Sequence, residues 1–270
     1  MKRRTRKNPL IALLTDFGTM DGFVGTMKGI IVGINPRVTI VDIAHDIPPQ
    51  DVERAAYVLW SSYRYFPADT IFAAVVDPGV GSSRKILCAE GRNHIFLAPD
   101  NGILRYIASE GELKKMWEVT SRKHFLPHLS STFHGRDIFA PAAAYLSLGL
   151  KPEKLGKRFP VLSPTREFIE LRSGNRAPVA GRVIYIDRFG NLITNFRVSP
   201  GMAMFSRRIK FTIKKRVIRC LSQSYASGSV MSPLALVNSS NLVEIGIRNA
   251  NASKLLSAAI GDKVLIEFLN

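Results

Sequence analysis

The chain has 270 residues, of which 46% are hydrophobic, two are cysteines, and the formal net charge is +17. That apolar content excludes a disordered chain, and the longest apolar runs are strand-sized, short of the roughly 18 to 20 residues of a membrane-spanning helix. Two distant cysteines exclude a disulfide framework and a zinc-ligand spacing, so Cys88 and Cys220, each in a strand-like run, read as two small buried hydrophobes.

The start, Met1–Asn8, is basic, but the apolar run behind it, Leu10–Leu14, is shorter than the about 7 to 15 residues of a signal-peptide core. The chain therefore reads as cytoplasmic. Leu10–Thr15 is a continuous apolar run, as expected of a buried parallel strand. Gly22–Ile34 follows as a helix, with Phe23, Met27, Ile30, Ile31 and Ile34 at helical spacing, stopped by Asn35-Pro36. Val38–Ile43 predicts a strand, Asp51–Tyr65 a helix, and Ile71–Val76, Ile86–Ala89 and Ile95–Ala98 three more strands. Asp137–Leu148 is a later helix closed by Gly149. This alternation predicts an α/β unit over residues 1–160, a mostly parallel sheet sandwiched by helices.

Residues 161–178, rich in proline and polar side chains, read as a linker. Over residues 179–270 come short strands: Val183–Asp187, Leu192–Phe196, Ile209–Ile213, Val217–Leu221, Ala235–Val237, Val243–Ile247 and Val264–Phe268. Only one short helix, Ala252–Ala259, interrupts them, which suggests a small C-terminal β-barrel. The positive charge concentrates in the N-terminal tail and in Arg207, Arg208, Lys210, Lys214, Lys215, Arg216 and Arg219. The second cluster interleaves with Ile209, Phe211, Ile213 and Val217, the pattern of strands with one solvated face. A nucleic-acid partner is not expected, although charge alone does not dispose of one.

Four polar turns carry the candidate chemistry, since ligands of open α/β sheets bind where strands end. In Thr15–Gly22, Asp16 ends an apolar strand, where a carboxylate can accept two ribose hydroxyls, and Asp21 precedes the helix as its candidate N-cap. In Val76–Arg84 the spacing is neither a P-loop nor G-x-G-x-x-G. What remains is Asp77 after a buried strand, a glycine-rich reversal, and Arg84 placed to return beside it as an ion pair. In Ser131–Asp137, Phe133, His134 and Gly135 offer an aromatic plate, an imidazole and close backbone approach. In Ile186–Asn195, Asp187 and Asn191 flank Phe189 on one tight turn, either a plain hairpin or a grip for an ammonium group.

Together these turns resemble the S-adenosylmethionine (SAM) hydroxide adenosyltransferases, relatives of the fluorinating and chlorinating enzymes that act on the same substrate. The matching stretches are TDFGTMDGFVGTMKG (Thr15–Gly29), DIPPQD (Asp46–Asp51), VVDPGVGSSRK (Val75–Lys85), APDNGIL (Ala98–Leu104), TFHGRDIFAPAAAYL (Thr132–Leu146), IDRFGNLITNF (Ile186–Phe196) and NSSNLVEI (Asn238–Ile245). The resemblance implies hydrolysis of SAM to adenosine and methionine in a homotrimer, each active site lying between one subunit's N-terminal domain and its neighbour's barrel. It implies Asp77, Arg84 and His134 as the catalytic set, which the halogenating members lack. It further implies Asp16 on the ribose hydroxyls, Asp21 on a polar part of the substrate, and Phe133 near the flat ligand. Asp187, Asn191 and Phe189 would take the methionine end, with Ser239 near its carboxylate. Ile247–Ala250 differs from the halogenating pattern, so no adenine contact is carried over there.

The sulfonium lets methionine leave as a neutral thioether, so the missing ingredient is a nucleophile, and water has a pKa near 15.7. No metal or cofactor is expected, leaving side chains to activate the water. His134 is then the expected base, with Asp77 as the competing choice. Halide transfer and a non-catalytic SAM- or nucleic-acid-binding module stand as the alternatives.

Overall fold

The computed structural model describes residues 8–172, 177–199 and 209–269. It divides into two compact units, the first ending at Thr165 and the second starting at Arg166. The basic tail 1–7 and Arg207 and Arg208 lie outside the described residues, as do residues 173–176 of the segment read as a linker.

The first unit runs β1 (Leu10–Thr15), α1 (Phe23–Ile34), β2 (Thr39–Ala44), α2 (Val52–Ser62), β3 (Ile71–Val75), β4 (Ile86–Gly91), β5 (Ile95–Pro99), α3 (Arg105–Ser109), β6 (Leu113–Glu118), α4 (Ala140–Ser147) and β7 (Arg158–Phe159). Its seven strands form one sheet in the order β2-β1-β3-β5-β4-β6-β7. The pairings among β2, β1, β3 and β5 are parallel, and those joining β5, β4, β6 and β7 are antiparallel. The sheet is therefore mixed rather than mostly parallel. The physical reason is the link between β4 and β5, a turn over 92–94, which is far too short for a parallel crossover.

Alternate residues of the strands face opposite ways. Ile11, Leu13, Ile71, Ala73, Val75 and Leu97 share a core with Met27 and Ile31 of α1 and the alanines of α4. The intervening Ala12, Leu14, Phe72, Ala74 and Phe96 are buried too. Burial on both sides explains why these strands read as unbroken apolar runs. The helix expected from Asp137 begins earlier, as a π-turn over Gly135–Phe139 that leads into α4. Asp21 does not cap α1: the N-cap is Gly22 and makes no side-chain bond, whereas Asp51 does cap α2, accepting from Arg54 N–H at 2.9 Å.

The second unit contains β8 (Ile169–Leu171), β9 (Val179–Ile186), β10 (Leu192–Val198), β11 (Ile209–Ile213), β12 (Arg216–Ile218), β13 (Pro233–Val237), β14 (Leu242–Ile247), α5 (Ala252–Leu256) and β15 (Lys263–Phe268). β8 falls inside the stretch read as a linker and pairs with β10. The sheet order is β12-β11-β15-β9-β10-β14-β13, and beyond β12 Leu221 bridges Ala235 of β13, so the sheet curls nearly into a barrel. Ile209, Phe211 and Ile213 are buried, while Lys210 and Lys214 pair with Glu267 and Asp262. Val217 breaks the expected alternation. It is exposed and Ile218 is buried, after a turn in which Lys214 takes a φ of 51°.

Cys88 is buried in β4, but Cys220 is exposed beyond β12, contrary to its reading as a buried hydrophobe. The difference is measurable. A dithionitrobenzoate titration should find one reactive thiol per native chain and two after unfolding in guanidinium, because only Cys220 meets solvent in the fold.

Candidate active site

β1 and β3 are parallel neighbours in register, Thr15 opposite Val75. The residues that follow them, Asp16 and Val76-Asp77, therefore leave the sheet side by side at its carboxyl end, the usual place for a ligand. A cavity of about 370 Å³ opens there, lined by Asp16, Asp77 and His134 together with Phe17, Phe23 and Phe133. Its size is at the lower end for small-molecule sites.

The reversal after β3 does bring Arg84 onto Asp77. The guanidinium Nη2 pairs with Asp77 Oδ2, and the two side chains are only 10% and 5% exposed. Asp77 Oδ1 accepts the Gly79 N–H at 3.2 Å, and Arg84 Nη1 donates to the Lys85 carbonyl at 2.6 Å. Gly81 makes the reversal possible. Its φ is +78°, and a Cβ there would lie 2.4 Å from the Ser131 carbonyl oxygen, so this loop and the one before His134 touch backbone to backbone.

His134 precedes the π-turn and carries no capping bond. Asp137, fully buried, holds its loop: Oδ2 accepts the Ser130 N–H at 2.6 Å, and Arg136 Nε donates to Oδ1 at 2.6 Å. Burial, and behind it the Arg84 guanidinium, pushes the His134 imidazole below its ordinary value, against weaker pulls from Asp77 and Asp137. The ring is therefore neutral at pH 7. His134 Nδ1 and Arg84 Nε are both buried with no hydrogen-bond partner among the described residues.

Phe17, Phe23 and Phe133 form a mutual edge-to-face cluster with centroids 5.1 to 6.0 Å apart. Phe133 therefore belongs to an aromatic wall, of which Phe17 and Phe23 were not singled out in the sequence. Gly135 lets this wall close: a Cβ there would stand 3.0 Å from the Phe17 ring. Pro49 and Gln50 also line the cavity, and Gln50 N–H donates to Asp16 Oδ2 at 2.8 Å. DIPPQD was legible as a motif, but nothing in its residue types announced a backbone donor. Asp21 is exposed and is not among the lining residues.

Asp187, Phe189, Asn191 and Ser239 belong to the second unit, and every residue lining the cavity belongs to the first. Asp187 closes the β9–β10 hairpin as an Asx-type turn. Its Oδ1 accepts Phe189 N–H and Asn191 N–H at 2.9 and 2.8 Å, and its Oδ2 accepts Asn191 Nδ2 at 2.9 Å. Asn191 is buried, Phe189 is 75% exposed, and Ser239 is exposed in the turn after β13. Sequence reading passed over Glu244 of β14, buried nearby, whose carboxyl accepts the Tyr225 hydroxyl and is pushed up by burial. Among the described residues no three His, Cys, Asp or Glu side chains gather as metal ligands, and no helix is long and apolar enough to cross a membrane.

Sequence models of the SAM hydroxide adenosyltransferase N-terminal and C-terminal domains match residues 11–156 and 181–265. An (R)-S-adenosyl-L-methionine hydrolase of Thermus thermophilus is 34% identical over 261 residues, 93% of this chain and 96% of that protein. A fluorinase of an Actinoplanes species is 31% identical over 218 residues, 70% of this chain and 72% of that one. The crystal structure of an uncharacterized conserved protein from Thermotoga maritima superposes with a TM-score of 0.83 at 32% identity, covering 95% of this chain and 99% of the other. With both domains matched in order and similarity running almost from end to end, the chain belongs to the SAM hydroxide adenosyltransferase family.

Proposed function

We propose that the protein hydrolyses SAM, in the (R) form named for its Thermus relative, to adenosine and L-methionine, with water attacking the ribose C5′ opposite sulfur. The observation that carries this reading is a cavity lined by Asp77 and a neutral His134, with Arg84 held against Asp77 in a buried ion pair. A water bound in the cavity against Asp77 and the His134 ring, close to the Arg84 charge, stands where a nucleophile is needed.

The roles follow from the hydrogen bonds. Both Asp77 oxygens are engaged, one by Arg84 and one by the Gly79 N–H, so Asp77 orients the guanidinium and His134 takes the proton. Arg84 stabilises the hydroxide character that develops on the water. The low pKa of His134 makes it a weaker base but keeps it unprotonated, and holding the water in line contributes through proximity. Asp16 holds the ribose, and the aromatic wall including Phe133 flanks the substrate. The reading needs no cofactor beyond the substrate itself. A cytoplasmic location goes with this reading as part of the proposal. The fluorinase likeness makes a halide the rival nucleophile. A carboxylate beside the attack position repels a halide, whereas all three groups can hydrogen-bond water.

The methionine end falls to the second unit's Asp187, Phe189, Asn191 and Ser239, with Asp21 at a polar part of the substrate. We place the four second-unit residues on a neighbouring copy in a homotrimer. Support comes from apolar side chains left in solvent, Met20 at 100% and Phe189 at 75% exposure. The chain's basic surface has no part in this chemistry. Light scattering should give three times the 29.9 kDa chain mass; an active monomer excludes the shared site.

Chromatography of purified protein incubated with SAM should show adenosine and methionine released without added halide. His134→Ala and Arg84→Lys should each lower kcat about 10²- to 10⁴-fold with little change in KM, since both act on the nucleophile. Near-native turnover in His134→Ala excludes His134 as the base. The pH profile adds a signed expectation. Because His134 is held below its ordinary 6.5, the acid limb of kcat/KM should have its midpoint below pH 6.5, with activity lost as the ring protonates.

A further inference from the structure

Beneath Asp16 lies a knot of polar groups that the chemistry above does not use. Thr15 and His45 are both buried, and Thr15 Oγ1 meets His45 Nδ1 at 2.8 Å. Thr15 Oγ1 also accepts the Phe17 N–H at 3.3 Å. The Thr15 hydroxyl can donate to His45 Nδ1 or accept from it while still accepting the Phe17 N–H, so the contact holds in either ring tautomer. Gly18 N–H donates to the His45 carbonyl at 2.8 Å, and Gln50 N–H donates to Asp16 Oδ2 at 2.8 Å. These bonds sew the turn that carries Asp16 to the segment that begins with His45.

The other side of His45 is anchored as well. Its Nε2 lies 3.0 Å from Asp42 Oδ1, off the line of a good hydrogen bond, so the contact is electrostatic. Asp42 Oδ2 in turn holds Lys28 Nζ of α1 at 2.6 Å. Gln50, at the far end of the segment, keeps a φ of 67°, a conformation that persists in a residue with a side chain only when its surroundings over-determine it. One end of the segment is fixed by the imidazole and the other delivers a backbone donor to Asp16.

We infer that His45 is a positioning residue for substrate binding: through Thr15, Gly18 and the His45–Gln50 segment it fixes the Asp16 carboxylate toward the ribose hydroxyls of the substrate. This rests on the hydrolase reading and adds a residue that never touches the substrate. The knot costs buried polar surface that an apolar pair at the same place would not, and it lies directly behind the one carboxylate assigned to the ribose.

Calorimetric titration of adenosine into wild type, His45→Ala, Asp16→Ala and the double variant tests it. His45→Ala should weaken adenosine binding about tenfold, and in the Asp16→Ala background it should add less than about twofold, because its effect passes through Asp16. His45→Asn, whose amide oxygen takes the place of Nδ1, should restore most of the affinity. Thr15→Val, close in volume, should repeat the loss if His45→Ala folds poorly. At saturating SAM, kcat of His45→Ala should stay within about threefold of wild type. Unchanged adenosine affinity in His45→Ala and Thr15→Val, or losses that simply add to that of Asp16→Ala, overturn the role of His45 alone. Wild-type protein that takes up no adenosine overturns the substrate reading and this role together.

Discussion

Asp77 and Arg84 are removed from water together, and a charge so placed is tolerable only while its partner stays in reach. Breaking such a pair costs about 3–5 kcal/mol, because one charge is left without compensation. This constraint fixes the loop after β3. The reversal must return over a few residues, Gly81 must take a positive φ, and the backbone must lie close against Ser131. The His134 loop is placed by that contact as much as by its own helix.

The same pair sets the electrostatics of its neighbour. An imidazole buried beside a guanidinium is driven toward its neutral form, which is the form that accepts a proton. Asp137 has the opposite influence on His134, but its carboxylate is taken up by Arg136 and the Ser130 N–H and serves the loop. The π-turn that follows has a comparable use. It replaces the tighter first turn of a helix, lets Gly135 meet Phe17, and closes the aromatic wall around the cavity.

The second unit repeats this economy with backbone donors in place of a cation. Asp187 accepts from the Phe189 and Asn191 N–H groups and the Asn191 amide, which pins the hairpin turn, and Phe189 stands out into solvent. In the proposed assembly that ring and its turn complete a neighbour's site, a use that neither unit supplies alone. The contact of the Tyr225 hydroxyl with the buried Glu244 fastens the 225–227 turn onto β14 in the same part of the unit.

Some of this was written in the residue order. Unbroken apolar runs placed β1 and β3, because strands buried on both faces admit no polar alternation. The acid at the end of each run marked Asp16 and Asp77, and a glycine-rich return of fixed length brought Arg84 back. Alternation with lysine and arginine marked β11 as a strand with one wet face. Other features depended on contacts remote in sequence. The antiparallel half of the first sheet follows from which strand β5 chose, β3 on one side and β4 on the other, and periodicity carries no information about partners. Cys220 fell in solvent because β12 ends at Ile218, two residues before it. The His45–Thr15 knot joins groups 30 residues apart, and the donor that reaches Asp16 is a backbone N–H, which every residue but proline possesses. Side-chain chemistry is legible one letter at a time, whereas the pairing of strands and the aim of a backbone donor exist only once the chain has packed.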